Sequence, residues 1–269
     1  MTPPTFYGIE YEINPWMNRS RRSKYLLAQE QWRALHRLLQ DRLRVDVCLI
    51  EPKPGLPDMV FTANAGFVWK EKFIVSNFRH EVRRGETAYY QKWFALRGFE
   101  ILHLPAEDHF EGEGDLLMCG DVLFAGYPFR SSIACHARVA EIIERDILSL
   151  KLTDHWFYHL DTCFCPLTNS AAMYYPAAFD TEALNILERH IPILIPVSAE
   201  EARRFTCNTI VVDKNVIMNH GCPRTSSQLQ ALGFSAFEIP LSEFIKAGGS
   251  AKCLVLQVPN SDVPSCIDI

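Results

Sequence analysis

Cys253 follows a glycine pair in Gly248-Gly249-Ser250-Ala251-Lys252-Cys253-Leu254, and His159 stands two residues before a carboxylate in Tyr158-His159-Leu160-Asp161-Thr162. A thiol, an imidazole and a carboxylate are parts from which a cysteine hydrolase can be built. An unperturbed thiol has a pKa of about 8.5, so it is a useful nucleophile at neutral pH only where its proton is drawn off. A cation close by, such as a guanidinium substrate, would favour the thiolate. The glycines let the backbone come close to a substrate. Residues two apart on a strand share a face, so His159 and Asp161 are expected to reach one site, and Lys252 to point away from Cys253. The imidazole can move protons near neutral pH, and the carboxylate can hold a cation or a ring tautomer. Taken singly, Cys253 also reads as a buried core cysteine, and His159 with Asp161 as a structural pair.

Further polar residues interrupt apolar stretches. Phe110-Glu111-Gly112-Glu113-Gly114-Asp115 sets three carboxylates among glycines, either an acidic turn or groups that orient a histidine or clamp a cation. Asp58 and Asn64 flank the apolar run in Pro57-Asp58-Met59-Val60-Phe61-Thr62-Ala63-Asn64-Ala65-Gly66 and need partners if buried, which a polar ligand could supply. Arg83 and Arg130 lie near turns, where either could hold a carboxylate through a bidentate pair or simply face solvent. Cys163 and Cys165 continue the alternation of His159 and Asp161. Four ligands along one strand span too far for a tetrahedral zinc, and no C-x-x-C partner is present, so the two cysteines read as small buried apolar residues.

The elements that must position these groups come from 269 residues, 48% hydrophobic and 22% charged, with a formal net charge of -5. This is globular composition without a nucleic-acid footprint. The cluster Arg19, Arg21, Arg22, Lys24 reads as a solvated helix entry. The chain has 9 cysteines without a repeating spacing, no basic-then-apolar leader and no run of roughly 18 apolar residues. The expectation is a soluble, reduced, cytoplasmic protein that uses no membrane.

Hairpins are predicted at 60–67 with 73–77, 116–119 with 122–125, 156–165 with 171–175, and 206–212 with 216–219, and a fifth from 254–258 pairing with 8–13. Helices are predicted at 24–43, 87–96, 133–148 and 227–232, and Ser198-Ala199-Glu200-Glu201 reads as a capping box. Strands at 44–50, 100–104, 193–196 and 236–239 follow helices. The repeat of roughly 45–55 residues suits five ββαβ units closed in a ring, or a mixed α/β sheet.

Together the ordered segments resemble the amidinotransferase and guanidine-hydrolase superfamily, the penteins. They run from Ile13-Asn14-Pro15-Trp16-Met17 through 57–66, 110–115, Gly126-Tyr127-Pro128-Phe129-Arg130 and His159-Leu160-Asp161-Thr162, to Cys207-Asn208, Met218-Asn219-His220-Gly221 and 248–254. The resemblance spans nearly the whole chain and is greatest to the catalytic domain of cyanobacterial arginine dihydrolases, next to dimethylarginine dimethylaminohydrolases. It implies an α/β fold, a five-bladed α/β propeller of ββαβ repeats, as a single guanidine-hydrolase domain over 1–269. It implies Cys253 as nucleophile, His159 as general acid and base, and Glu111 as the carboxylate that orients the histidine, with Glu113 competing. Asn64 and Asp161 would bind the guanidinium, Arg83 and Arg130 the substrate carboxylate, and Asn14 and Asp58 the amino-acid end. The implied ligand is a small guanidino molecule, arginine or methylated arginine, and no metal or organic cofactor is called for. Hydrolysis would give citrulline and ammonia, or proceed to ornithine, carbon dioxide and ammonia. An amidinotransferase and a catalytically dead binding propeller are the alternatives. The oligomeric state is left open, a homo-oligomer included.

Overall fold

The computed structural model describes residues 1–258. Four units repeat one plan: two antiparallel strands, a helix, and a third strand parallel to the second. The first has strands Gly66–Trp69, Lys72–Val75 and Glu100–Leu102 with helix Thr87–Ala95. The second has Leu116–Cys119, Val122–Tyr127 and Ile147–Lys151 with helix Ile133–Ile143. The third has Phe164–Thr168, Ala171–Tyr174 and Ile193–Pro196 with helix Thr181–His190, and the fourth has Ile210–Val212, Asn215–Asn219 and Ser235–Ile239 with helix Pro223–Ala231. Among the described residues these are four separate three-stranded sheets.

The middle strands are apolar on both faces because each face meets a different neighbour. Leu123 packs with Ile74 of the first unit and Val139, whereas the next residue, Phe124, turns to the cluster of Phe164, Met173 and Leu187. The same alternation puts Ile217 with Leu35 and Phe244, and Val216 and Met218 with the third unit. The units therefore share their cores side by side. The N-terminal helix Tyr25–Arg37 lays Ala28, Trp32, Leu35 and, from the π-helical turn Leu38–Arg42, Leu39 onto the cluster that contains Cys253.

Several sequence expectations change. The fifth hairpin does not form: 8–13 carries no strand, and Lys252–Leu254 is a 3-10 turn. Side chains take the backbone groups that would have paired, since Thr62 Oγ1 donates to Leu254 O (2.8 Å) and Gln257 N to Glu113 (3.1 Å). The helix expected over 133–148 stops at Ile143, where Glu144 turns left-handed (φ 54°), and frees Ile147–Lys151 to be a strand. No strand forms over 44–50. Ser198 caps its short helix through Glu201 N (3.4 Å), but the Glu201 carboxylate leaves the box to accept from Arg224 N and Thr225 N at the next helix start. Helix Thr181–His190, capped by Asp180, is absent from the sequence reading. No described helix is long and apolar enough to cross a membrane.

Candidate active site

The expected strands at 60–67 and 156–165 begin late because tight turns precede them, and these turns carry the polar residues. Asn64 lies in Thr62–Ala65, Glu113 in Gly112–Gly114, Asp161 in Leu160–Thr162 and Cys253 in Lys252–Leu254. Glu111 and His159 cap two of these turns from in front, and Asn208 sits ahead of Ile210–Val212. The turns pack against one another. His159 and Asp161 thus owe their approach to a 3-10 turn instead of strand alternation, and Cys253 is not on a strand. Cys163 and Cys165 part from them: both are buried with the third unit's core, their thiols on backbone carbonyls. Among the described residues no group of three His, Cys, Asp or Glu could hold a metal ion.

Cys253 lies against a carboxylate and an amide. Its Sγ is 3.5 Å from Asp161 Oδ2, and Asn208 Nδ2 donates to it at 3.0 Å. The Asn208 carbonyl accepts from Cys253 N (3.1 Å) and Ser250 N (3.0 Å), so one side chain fixes the turn and touches the sulfur. Sequence reasoning assigned Asn208 no role, since an asparagine beside a buried cysteine has no telling spacing. Burial, then the Asp161 charge, push the Cys253 thiol well above its ordinary value. Burial also lifts Asp161 to about 7, with Lys252 opposing.

His159 Nε2 is 2.7 Å from Glu111 Oε2, which also accepts from Arg130 Nη1 at 3.1 Å. Burial alone would raise the Glu111 carboxyl, but the Arg130 guanidinium and the histidine hydrogen bond outweigh it and hold it well below the carboxylate range. An ionised carboxylate only accepts, so Nε2 carries the proton and Nδ1 is left to exchange one. Glu113 is turned the other way, into a buried ion pair with Lys252. Asp115 accepts from Leu160 N (3.1 Å) and Ser131 Oγ (2.6 Å), bracing the segments that carry His159 and Arg130.

A cavity of about 10 Å³ is bounded by Asn14, Asp58, Asn64, Arg83, Arg130, Tyr158, Gly248 and Cys253, among others. Gly248 has φ +84°, and a Cβ there would lie 2.7 Å from Tyr158 Oη, so the glycine lead-in serves close packing of this wall. Asn14 is spent within the wall: its amide donates to Tyr158 Oη and Ala247 O, and its carbonyl accepts from Trp16 N and Met17 N. Arg83 is largely engaged as well, with Nε and Nη2 on Glu86 at 2.8 Å each, and Nη1 on Asn64 Oδ1 at 2.9 Å.

The pairing leaves a remainder. Arg83 pairs with Glu86, Arg130 with Glu111 and Lys252 with Glu113, while Asp58 and Asp161 have no ion-pair partner among the described residues. Asp58 Oδ1, Asp161 Oδ1 and Asn64 Nδ2 are buried without a hydrogen-bond partner. Such groups are costly unless something else satisfies them. Burial pushes the Asp58 carboxyl up as it does that of Asp161, so the site offers two carboxyl acceptors that a cation would hold ionised, and one amide donor.

These features have counterparts in known proteins. The family model described as N,N dimethylarginine dimethylhydrolase, eukaryotic, matches residues 11–259. The bifunctional arginine dihydrolase/ornithine cyclodeaminase AgrE of Nostoc is 43% identical over 96% of this chain, which spans only 37% of that protein's length. The N(G),N(G)-dimethylarginine dimethylaminohydrolase of Mycobacterium tuberculosis is 40% identical, covering 96% of this chain and 84% of its own. The crystal structure of the N-terminal domain of ArgZ, an arginine dihydrolase of cyanobacteria, as a cysteine-to-serine mutant bound to substrate, superposes with a TM-score of 0.91 at 42% identity over 95% of this chain and 96% of that one. The chain belongs to the N,N dimethylarginine dimethylhydrolase family.

Proposed function

We propose that this chain, as one catalytic unit, hydrolyses the guanidinium of arginine through a covalent adduct on Cys253. The observation that carries the reading is a pair of buried carboxyl groups without ion-pair partners, Asp161 against the sulfur and Asp58 on the cavity that Cys253 also bounds. Arginine brings two cations to two such sites: its guanidinium suits Asp161 and its α-ammonium suits Asp58. The α-carboxylate goes to N–H groups that Arg130 and Arg83 have not spent. The likeness to an arginine dihydrolase domain held with its substrate supports this choice.

The guanidinium charge offsets the Asp161 charge that holds the thiol protonated, and so promotes the thiolate. The sulfur attacks the guanidinium carbon, held in plane by the carboxylate. His159 Nδ1 takes the proton the thiol gives up and passes it to the departing ammonia, and water deprotonated by His159 then frees the ureido product, the proton returning to the sulfur. With Cys253 only 2% exposed beside a cavity of about 10 Å³, part of the wall must move to admit substrate. Asn64 favours a second round: Arg83 holds its carbonyl and leaves its NH2 free, a donor that suits a ureido oxygen better than a guanidinium. The product is then ornithine, with carbon dioxide and two ammonias.

The four repeated units, with the turns at 62–65, 112–114, 160–162 and 252–254 meeting at the site, support a five-bladed propeller as the architecture. We place the protein in the cytoplasm, on the sequence reading above. Incubation with arginine and assay for ammonia with ornithine or citrulline tests the function, and the appearance of neither refutes it. The Mycobacterium tuberculosis relative favours dimethylarginine as a second reading. The ratio of kcat/KM for the two substrates separates them.

A further inference from the structure

Lys252 is a buried cation that the proposed reaction does not use. It precedes the nucleophile in sequence but bounds a different space, a cleft of about 450 Å³ on the other side of the turn, lined also by Glu113, Cys165, Cys207 and Gln257. The cavity beside Cys253 does not include it. Its Nζ pairs with Glu113, whose Oε2 also accepts from Gln257 N, and its own N–H donates to Asn208 O at 3.3 Å. Lys252 and Glu113 are 5% and 7% exposed, so the pair is held within the protein. The groups that act on Asp161 are Lys252 and Cys253 from the last turn, Asn208 from the fourth unit and Glu113 from the second. His159 shares its turn.

We propose that Lys252 is a positioning residue: clamped by Glu113 behind the Cys253 turn, it supplies the standing positive charge that keeps Asp161 ready as an anion for a cationic substrate. Without it, the buried carboxylates Asp161 and Glu113 would oppose each other's ionisation with no cation to offset them. Burial already holds Asp161 near neutral, where a modest change of field decides its charge. Lys252 favours the ionised form and Glu113 opposes it, so loss of the one and loss of the other have opposite effects.

The inference rests on the guanidine-hydrolase reading, and binding to Cys253→Ser separates the two. Arginine affinity of that variant is measured by calorimetry between about pH 5 and pH 9, alone and with Lys252→Met, Lys252→Arg or Glu113→Gln added. Lys252→Met is expected to move the acid-side loss of affinity upward by about one pH unit, roughly fivefold weaker binding at pH 7 that recovers at pH 9. Lys252→Arg is expected to keep the original profile, and Glu113→Gln to move it downward. Equal weakening at every pH by Lys252→Met, or a shift of the same sign from Glu113→Gln, would overturn the role. Should Lys252→Met fail to fold, the sign of the Glu113→Gln shift decides alone. Absence of arginine binding to Cys253→Ser itself, with the fold intact, would instead count against the reading of function.

Discussion

His159 Nε2 and Glu111 Oε2 are 2.7 Å apart with both side chains buried, and Arg130 closes the same carboxylate from the other side at 3.1 Å. One carboxylate thus sets the imidazole's tautomer and neutralises an arginine. Glu111→Gln removes the charge and keeps the shape. Its kcat/KM on arginine is expected to fall by about 100-fold, within the range for general acid–base groups. It also leaves Arg130 as an unpaired buried cation, a loss of about 3–5 kcal/mol that denaturant unfolding would register. Wild-type turnover in this variant would remove Glu111 from the machinery.

Cys253→Ser and His159→Ala are each expected to abolish most turnover while leaving the fold intact. Serine replaces one atom and keeps the Asn208 contact, so its thermal midpoint should lie close to wild type. Mass spectrometry of the wild type quenched with arginine should show a covalent adduct on Cys253 that the serine variant lacks. Turnover by the serine variant at the wild-type rate would rule out sulfur as the nucleophile.

Asp161 ties stability to pH in a direction that can be tested. Burial raises its carboxyl from an ordinary 3.8 to about 7. Below the unfolded value both states hold the proton and the group has no effect. As pH rises from about 4 to about 7 only the unfolded state gives it up, so the folded state loses stability, and above about 7 the loss is complete. Asp161→Asn stays neutral throughout. It is expected to melt with wild type near pH 4 and about 5 °C or more above it at pH 8, at the price of arginine binding. A gap that does not widen over this interval would contradict the burial argument.

The residues that meet at the site were legible by type: Cys253, His159, Asp161, Asn64, Asp58 and Glu111 stood out as polar groups in apolar or glycine-rich runs. The mode of their meeting was not. A buried 3-10 turn such as Pro57–Val60 shows the same apolar run as a strand covered on both faces, so strands were expected at 60–67 and 156–165 where turns stand. The choice between Glu111 and Glu113 depends on which way a turn faces, and the Lys252 contact that takes Glu113 away comes from 139 residues downstream. Arg83 could have been paired from its i,i+3 spacing to Glu86 on a helical turn. The four units were legible from their recurring hairpins, although the third unit's helix was not, and the fifth hairpin failed because a side-chain donor, Thr62, and a side-chain acceptor, Glu113, claimed its backbone.

In the proposed reaction Asn64 is expected to set how far hydrolysis proceeds. With its carbonyl on Arg83 Nη1, the free NH2 can donate to a ureido oxygen, whereas an aspartate would place a second acceptor against that oxygen. Asn64→Asp is expected to release one ammonia per arginine and accumulate citrulline, where wild type releases two. Colorimetric citrulline and enzymatic ammonia assays read the ratio directly. An unchanged ratio would leave Asn64 without a part in the second round.

Gly114 makes room for two of these residues at once. A Cβ at this position would lie 2.3 Å from Asn64 Nδ2 and 3.3 Å from the His159 ring carbons. Asn64 cannot swing away freely, because its carbonyl is held by Arg83, which is itself locked on Glu86. His159 is held by Glu111 on its far nitrogen. The added methyl must therefore displace the donor amide, the imidazole or the turn that carries them. Overpacking of this kind costs about 1–3 kcal/mol, a loss a domain of this size can absorb while staying folded. Activity is more exposed than stability, since misplacement by about 1 Å at a reacting centre can cost 100-fold. Gly114→Ala is expected to lower kcat on arginine by about 100-fold with the chain still cooperatively folded at 25 °C. Wild-type kcat in a well-folded Gly114→Ala variant would show that the amide and the imidazole do not need the separation seen here.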